Sequence, residues 1–82
     1  MARDNRPPML VATATGEPLS LLRLREVTRR TALSRSAVYR AIAAGTFPAP
    51  VKLGERASAW NAAEVDRWIA DRIAVRDARA AA

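Results

Sequence analysis

The side chains able to do chemistry in this 82-residue chain are arginines, hydroxyls and one phenol, crowded into one short stretch. Arg35, Ser36, Tyr39 and Arg40 follow directly on Ser34, and Lys52 and Arg56 come shortly after. A guanidinium is a planar fork of donors that matches phosphate oxygens and the O6/N7 edge of guanine. Serine and tyrosine hydroxyls donate to, or accept from, either target. The chemistry on offer is therefore recognition of anions and base edges. Tyrosine and serine beside arginine also cleave phosphodiesters in recombinases, so catalysis has to be weighed. Here Ser34, Ser36 and Tyr39 would share one ten-residue helix, with no histidine or cysteine anywhere and no second subdomain to hold a scissile phosphate. Glu64, Asp66 and Asp71 are spaced i, i+2, i+7, which spreads them around a helix rather than gathering them for magnesium. Zinc lacks its usual ligands. Neither an enzyme nor a cofactor is expected.

Charge placement sharpens this reading. Residues 1–22 hold two arginines against two acids, and residues 61–82 hold four against four. The segment 23–60 holds Arg23, Arg25, Arg29, Arg30, Arg35, Arg40, Lys52 and Arg56 against Glu26 and Glu55, so it carries the entire net charge of +6. Like charges so confined repel one another unless a partner neutralises them, which points to a polyanion. Thirteen of the 14 basic residues are arginine, a choice that a GC-rich coding sequence would also produce; the placement has no such explanation.

The elements that must position these groups follow from the pattern. Half the residues are hydrophobic, but 19 of those 41 are alanine, so the larger apolar side chains are needed for one small core. That commits Phe47, Trp60 and Trp68 to packing rather than to stacking on single strands. Residues 1–20, with Pro7, Pro8, Gly16 and Pro18, read as a disordered tail with an extended piece around Leu10–Thr13. Leu22 and Leu24 flank Arg23 in alternation, as in a very short edge strand, and Arg25–Thr31 suits a two-turn helix without a good capping oxygen. Ser34 caps a helix over Arg35–Ala44 with Val38, Ala41 and Ile42 on its apolar face, closed by Gly45 and Pro48. Only Ala32 and Leu33 separate the two helices, which makes a helix-turn-helix, here without the common glycine. Val51–Leu53, Gly54–Ala57 and Ser58–Trp60 read as a β-hairpin. Asn61 with Glu64 opens a third helix carrying Val65, Trp68, Ile69 and Ile73 on one face, which decays beyond Val75 into a fraying end. The expected fold is mostly α with a small β-hairpin (α+β). It is a compact winged helix-turn-helix of order β-α-α-β-β-α, with its domain at 21–75 and tails at 1–20 and 76–82.

Several stretches also resemble the AlpA-type phage and prophage regulators, excisionase-like members of the MerR-like winged-helix group. They are Leu22-Arg-Leu-Arg-Glu-Val27, Thr31-Ala-Leu-Ser-Arg-Ser-Ala-Val-Tyr-Arg40, Gly45-Thr-Phe-Pro-Ala-Pro-Val-Lys-Leu53, Arg56 to Trp60 and Glu64-Val-Asp-Arg-Trp-Ile69. The resemblance covers about residues 21–75. It implies sequence-specific binding of double-stranded DNA that controls mobile-element genes, element excision, or both. It also implies a DNA-facing helix bearing Arg35, Ser36, Tyr39 and Arg40.

Helical geometry leads to a similar face. At about 100° per residue, Ser36 and Arg40 point away from the apolar stripe and Arg35 and Tyr39 lie on its flank. Ser34 and the first amides of the helix suit a phosphate, Lys52 is a phosphate contact, and Arg56 sits at the hairpin tip for a phosphate or a narrow minor groove. A protein-interaction adaptor is the alternative. The expected partners are double-stranded DNA and an integrase or RNA polymerase, with no membrane. The expected state is a monomer that assembles cooperatively on DNA, in the cytoplasm and associated with the nucleoid.

Overall fold

Trp60 is the residue around which the other elements are arranged, and strand pairing puts it there. In the computed structural model, which describes residues 18–81, β1 (Leu21–Leu22) and β2 (Val51–Gly54) both pair antiparallel with the central β3 (Ala57–Asn61). Leu22 stands opposite Trp60, Val51 opposite Ala59 and Lys52 opposite Ser58, with an irregularity between Lys52 and Gly54. The full order is β1, α1 (Leu24–Thr31), α2 (Arg35–Ala44), β2, β3, α3 (Ala62–Ala81), which is the order expected from the sequence. The piece expected at Leu10–Thr13 lies outside the described residues, as does the tail up to residue 17.

The first strand is one residue out of place relative to the alternation of Leu22 and Leu24. Arg23 has left the sheet and serves as the N-cap of α1, with φ −78° and ψ 165°, so Leu24 begins the helix. No side chain caps this start; the Arg23 carbonyl accepts from the amides of Glu26 and Val27 at 3.0 and 3.1 Å. The helix stops at Ala32, which takes the left-handed conformation (φ 64°, ψ 14°) and donates its amide to the Thr28 carbonyl at 2.9 Å. An L-residue with a Cβ is held there at a cost of about 1 kcal/mol. Alanine thus performs the turn that glycine would make without that cost.

The core consists of Val27, Val38, Trp60 and Val65, all fully buried, with Leu22 and Phe47 nearly so. Leu24, Leu33, Ala41, Ile42, Trp68 and Ile69 close around them. Both indoles also carry a polar duty. Trp60 donates to the Pro48 carbonyl at 3.1 Å and Trp68 to the Thr46 carbonyl at 2.8 Å. Phe47, between those two carbonyls, meets the Trp68 ring edge-on at 5.0 Å. The connector from α2 to β2 has little regular structure of its own, so these bonds fix where the hairpin sits relative to α2.

Asn61 opens α3 by accepting from the amides of Ala63 and Glu64 at 2.9 and 3.2 Å. Val65, Trp68 and Ile69 face the core, but Ile73 does not join it and is 48% exposed. The core is too small to reach so far along the helix. Beyond Val75 the backbone stays helical to Ala81, with every residue exposed from Ala70 onward. Alanine and arginine are strong helix formers, which sustains the helix where no apolar stripe remains. No helix among the described residues is long and apolar enough to cross a membrane.

Candidate nucleic-acid interface

Helix α2 is set at both ends by its own sequence. Ser34 takes an extended conformation and its hydroxyl oxygen accepts from the Ala37 amide at 3.1 Å. The capping oxygen is thereby occupied, while the amides of Arg35 and Ser36 have no partner inside the helix. At the other end Gly45 is left-handed (φ 79°). Its amide bonds the Ile42 carbonyl at 3.0 Å and the Thr46 amide bonds the Ala41 carbonyl at 2.9 Å, a Schellman closure. Val38 is the one fully buried residue of α2, with Ala41 and Ile42 half-buried beside it. Ser36, Arg40 and Ala43 are exposed on the far side.

The expected site residues divide into two groups. Ser34, Arg35, Tyr39 and Arg56 line one open cleft of about 660 Å³ between the start of α1, the start of α2 and the hairpin. Ser36 and Arg40 lie outside that cleft, on the outer face of α2. Tyr39 bridges cleft and core: its ring meets Trp60 edge-on at 6.2 Å, and the Arg35 guanidinium lies 5.9 Å from its centroid. Arg56 occupies the two-residue turn between β2 and β3, and among the described residues it makes no ion pair with its neighbour Glu55. Lys52 projects from β2 and donates to the Ser58 hydroxyl across the hairpin at 3.2 Å.

Two members of the cleft were not singled out from the sequence. Arg23 and Arg25 line it together with Arg35 and Arg56, bringing four guanidiniums from three elements to one hollow. The signal was present in the Leu22-Arg-Leu24 alternation followed by Arg25, where Arg23 reads as mid-strand rather than as the strand-to-helix corner.

Ion pairing sorts the basic residues further. Glu26 bonds both Arg29 and Arg30 through its two carboxylate oxygens, and Arg30 reaches Asp66 of α3 at 3.1 Å. Hydrogen bonds from these two guanidiniums hold the Glu26 carboxyl at about 2, below its ordinary 4.5. The same bonds raise both arginines. Among the described residues, Arg23, Arg25, Arg35, Arg40, Lys52 and Arg56 have no carboxylate partner. Pairing within α1 and across to α3 therefore neutralises Arg29 and Arg30, while among the described residues the basic groups around the cleft, on α2 and on β2 have no acidic partner.

This assembly coincides with a family match. The model described as "Prophage CP4-57 regulatory protein (AlpA)" matches residues 20–73, from β1 to the point where α3 leaves the core. The chain belongs to the AlpA family of phage regulatory proteins. It is also similar to a protein of Enterobacteria phage P4 named "Uncharacterized protein ORF88", with 47% identity over 55 residues. That alignment takes in 67% of this chain and 62% of the phage P4 protein, so it spans less than two thirds of the relative's length. No solved structure matches. The AlpA match encloses α2, the hairpin and all four cleft arginines.

Proposed function

We propose that this protein is a sequence-specific binder of double-stranded DNA. Its outputs are transcriptional regulation of an integrated mobile element, excision of that element as a recombination directionality factor, or both. The observation that carries the reading is the sorting of charge: among the described residues, six basic residues at the α1 corner, on α2 and on the hairpin have no carboxylate partner, while Arg29 and Arg30 are paired. An uncompensated cationic surface repels itself in isolation and gains most from a polyanion. Membership of a phage regulatory family supports DNA as that polyanion.

In this reading α2 enters the major groove with Ser36 and Arg40 toward the bases, and the hairpin is the wing that reaches the backbone or adjoining minor groove. Lys52 and the first amides of α2 contact phosphates. The protein binds as a monomer and assembles cooperatively on neighbouring sites, where it recruits or blocks an integrase or RNA polymerase. Selection from a random duplex library at moderate salt tests this: a shared motif is expected among retained duplexes. Retention without a shared motif would remove sequence specificity, and no retention at any salt would remove DNA binding and favour a protein adaptor.

A further inference from the structure

The DNA-binding reading assigns roles to α2 and the wing but leaves the hollow between them unexplained. Arg23 and Arg25 come from the strand-to-helix corner, Arg35 from the start of α2 and Arg56 from the hairpin turn. Such distant positions in the chain meet only because the fold brings them together. Arg29 and Arg30, on the same short helix as Arg25, are consumed by Glu26 and Asp66. Among the described residues, one helix thus leaves its first arginine without a carboxylate partner on the cleft side and pairs its last two elsewhere.

The shape of the cleft says what kind of anion it suits. It is open along one side rather than enclosed, and the Tyr39 and Trp60 rings and Leu24 form part of its lining. An isolated small anion would be held by an enclosed pocket with donors on all sides. A duplex engaged by a helix in its major groove and a wing in the neighbouring minor groove must pass the intervening sugar-phosphate strand between the two elements. The cleft is the space between them. We propose that it seats this backbone strand, and that Arg23 and Arg25 grip phosphates from outside the recognition helix. The proposal rests on the DNA-binding reading and adds a third element, the α1 corner, to the interface.

The test uses the full chain and a short duplex of arbitrary sequence, with affinity followed by fluorescence anisotropy across a salt series. Each phosphate contact contributes about −0.9 to the slope of log affinity against log salt. Arg23→Gln/Arg25→Gln should make the slope shallower by about 2 and weaken binding roughly 30-fold at about 0.15 M salt. Arg29→Gln, which removes one charge from a position paired with Glu26, should change the slope by much less than the roughly 0.9 of a single phosphate contact. Arg23→Lys/Arg25→Lys should keep the wild-type slope, since a phosphate accepts an ammonium as a point charge. Arg23 and Arg25 are exposed and outside the core, so unchanged circular dichroism is expected for all variants. If wild type binds duplex and the double glutamine variant matches Arg29→Gln, the cleft assignment is overturned while DNA binding stands. If wild type shows no salt-dependent duplex binding, both fall.

Discussion

Arg40 and Arg35 lie on the same helix, yet their substitutions should fail in different ways. Arg40 is exposed with Ser36 on the outer face of α2, opposite the Val38 side, where a base edge would lie in the major groove. A bidentate arginine–guanine contact is worth about 1–3 kcal/mol of discrimination, so Arg40→Ala should weaken the selected motif roughly 5- to 150-fold. On scrambled duplex it should lose much less. Arg35 lies in the cleft against Tyr39, where the proposed arrangement would set it against the DNA backbone instead. Arg35→Ala should weaken motif and scrambled duplex by similar factors, about fivefold at about 0.15 M salt, and flatten the salt slope by about 0.9. Neither substitution opens a cavity, because Val38 supplies the fully buried contact of α2. The assay is affinity for both duplexes side by side, with the salt series repeated for each variant. If Arg35→Ala lost only the motif while Arg40→Ala lost both duplexes equally, the faces of α2 would be assigned the wrong way round.

Three other outcomes test the frame that holds the interface. Ala32→Gly should raise stability by about 0.5–1 kcal/mol, because the left-handed turn no longer carries a Cβ, while Ala32→Val should lower it; thermal unfolding reads both, and a lower Tm for glycine would refute the turn. Trp68→Phe removes the bond to the Thr46 carbonyl and should cost about 1 kcal/mol, whereas Trp60→Phe also hollows the core and strands the Pro48 carbonyl, costing about 2–4 kcal/mol by urea titration. Equal losses would show that the buried position of Trp60 is immaterial. The Glu26 carboxyl is held at about 2 against an ordinary 4.5, so its contribution is intact above pH 4.5, falls as pH drops and is gone below about 2. Glu26→Gln should therefore flatten the dependence of Tm on pH within that window, and an unchanged profile would show that the pairing with Arg29 and Arg30 does not contribute.

Much of the frame was legible because local chemistry and global packing agree in it. Ser34, Gly45 and Asn61 terminate helices through bonds that depend only on neighbouring residues, and each acts as its type suggests. The tryptophans were readable as core for lack of other large side chains. What was not legible depends on size and register. Ile73 continues the spacing of Val65, Trp68 and Ile69, but no periodicity reports how far a core extends, and it ends before Ile73. The short strand slipped by one residue because alternation cannot show where a chain leaves a sheet for a helix.

That single-residue slip is also why the cleft stayed hidden. If Leu22 and Leu24 were both in a strand, Arg23 would face away from both leucines, and Arg25 would merely begin the next helix. With the corner at Arg23, the chain turns between β1 and α1, and Arg23 and Arg25 come onto one side of the molecule beside Arg35 and Arg56. Net charge by segment did locate the basic region, yet it counted Arg29 and Arg30 equally with the rest, although Glu26 and Asp66 already pair them. Among the described residues, six of the eight basic residues in segment 23–60 have no carboxylate partner. Five phosphate contacts among those six would give a salt slope near −4.5. Were Arg29 and Arg30 also engaged, the slope would steepen toward about −6.3, at seven contacts. The measured wild-type slope therefore discriminates between a surface defined by composition and one sorted by the fold.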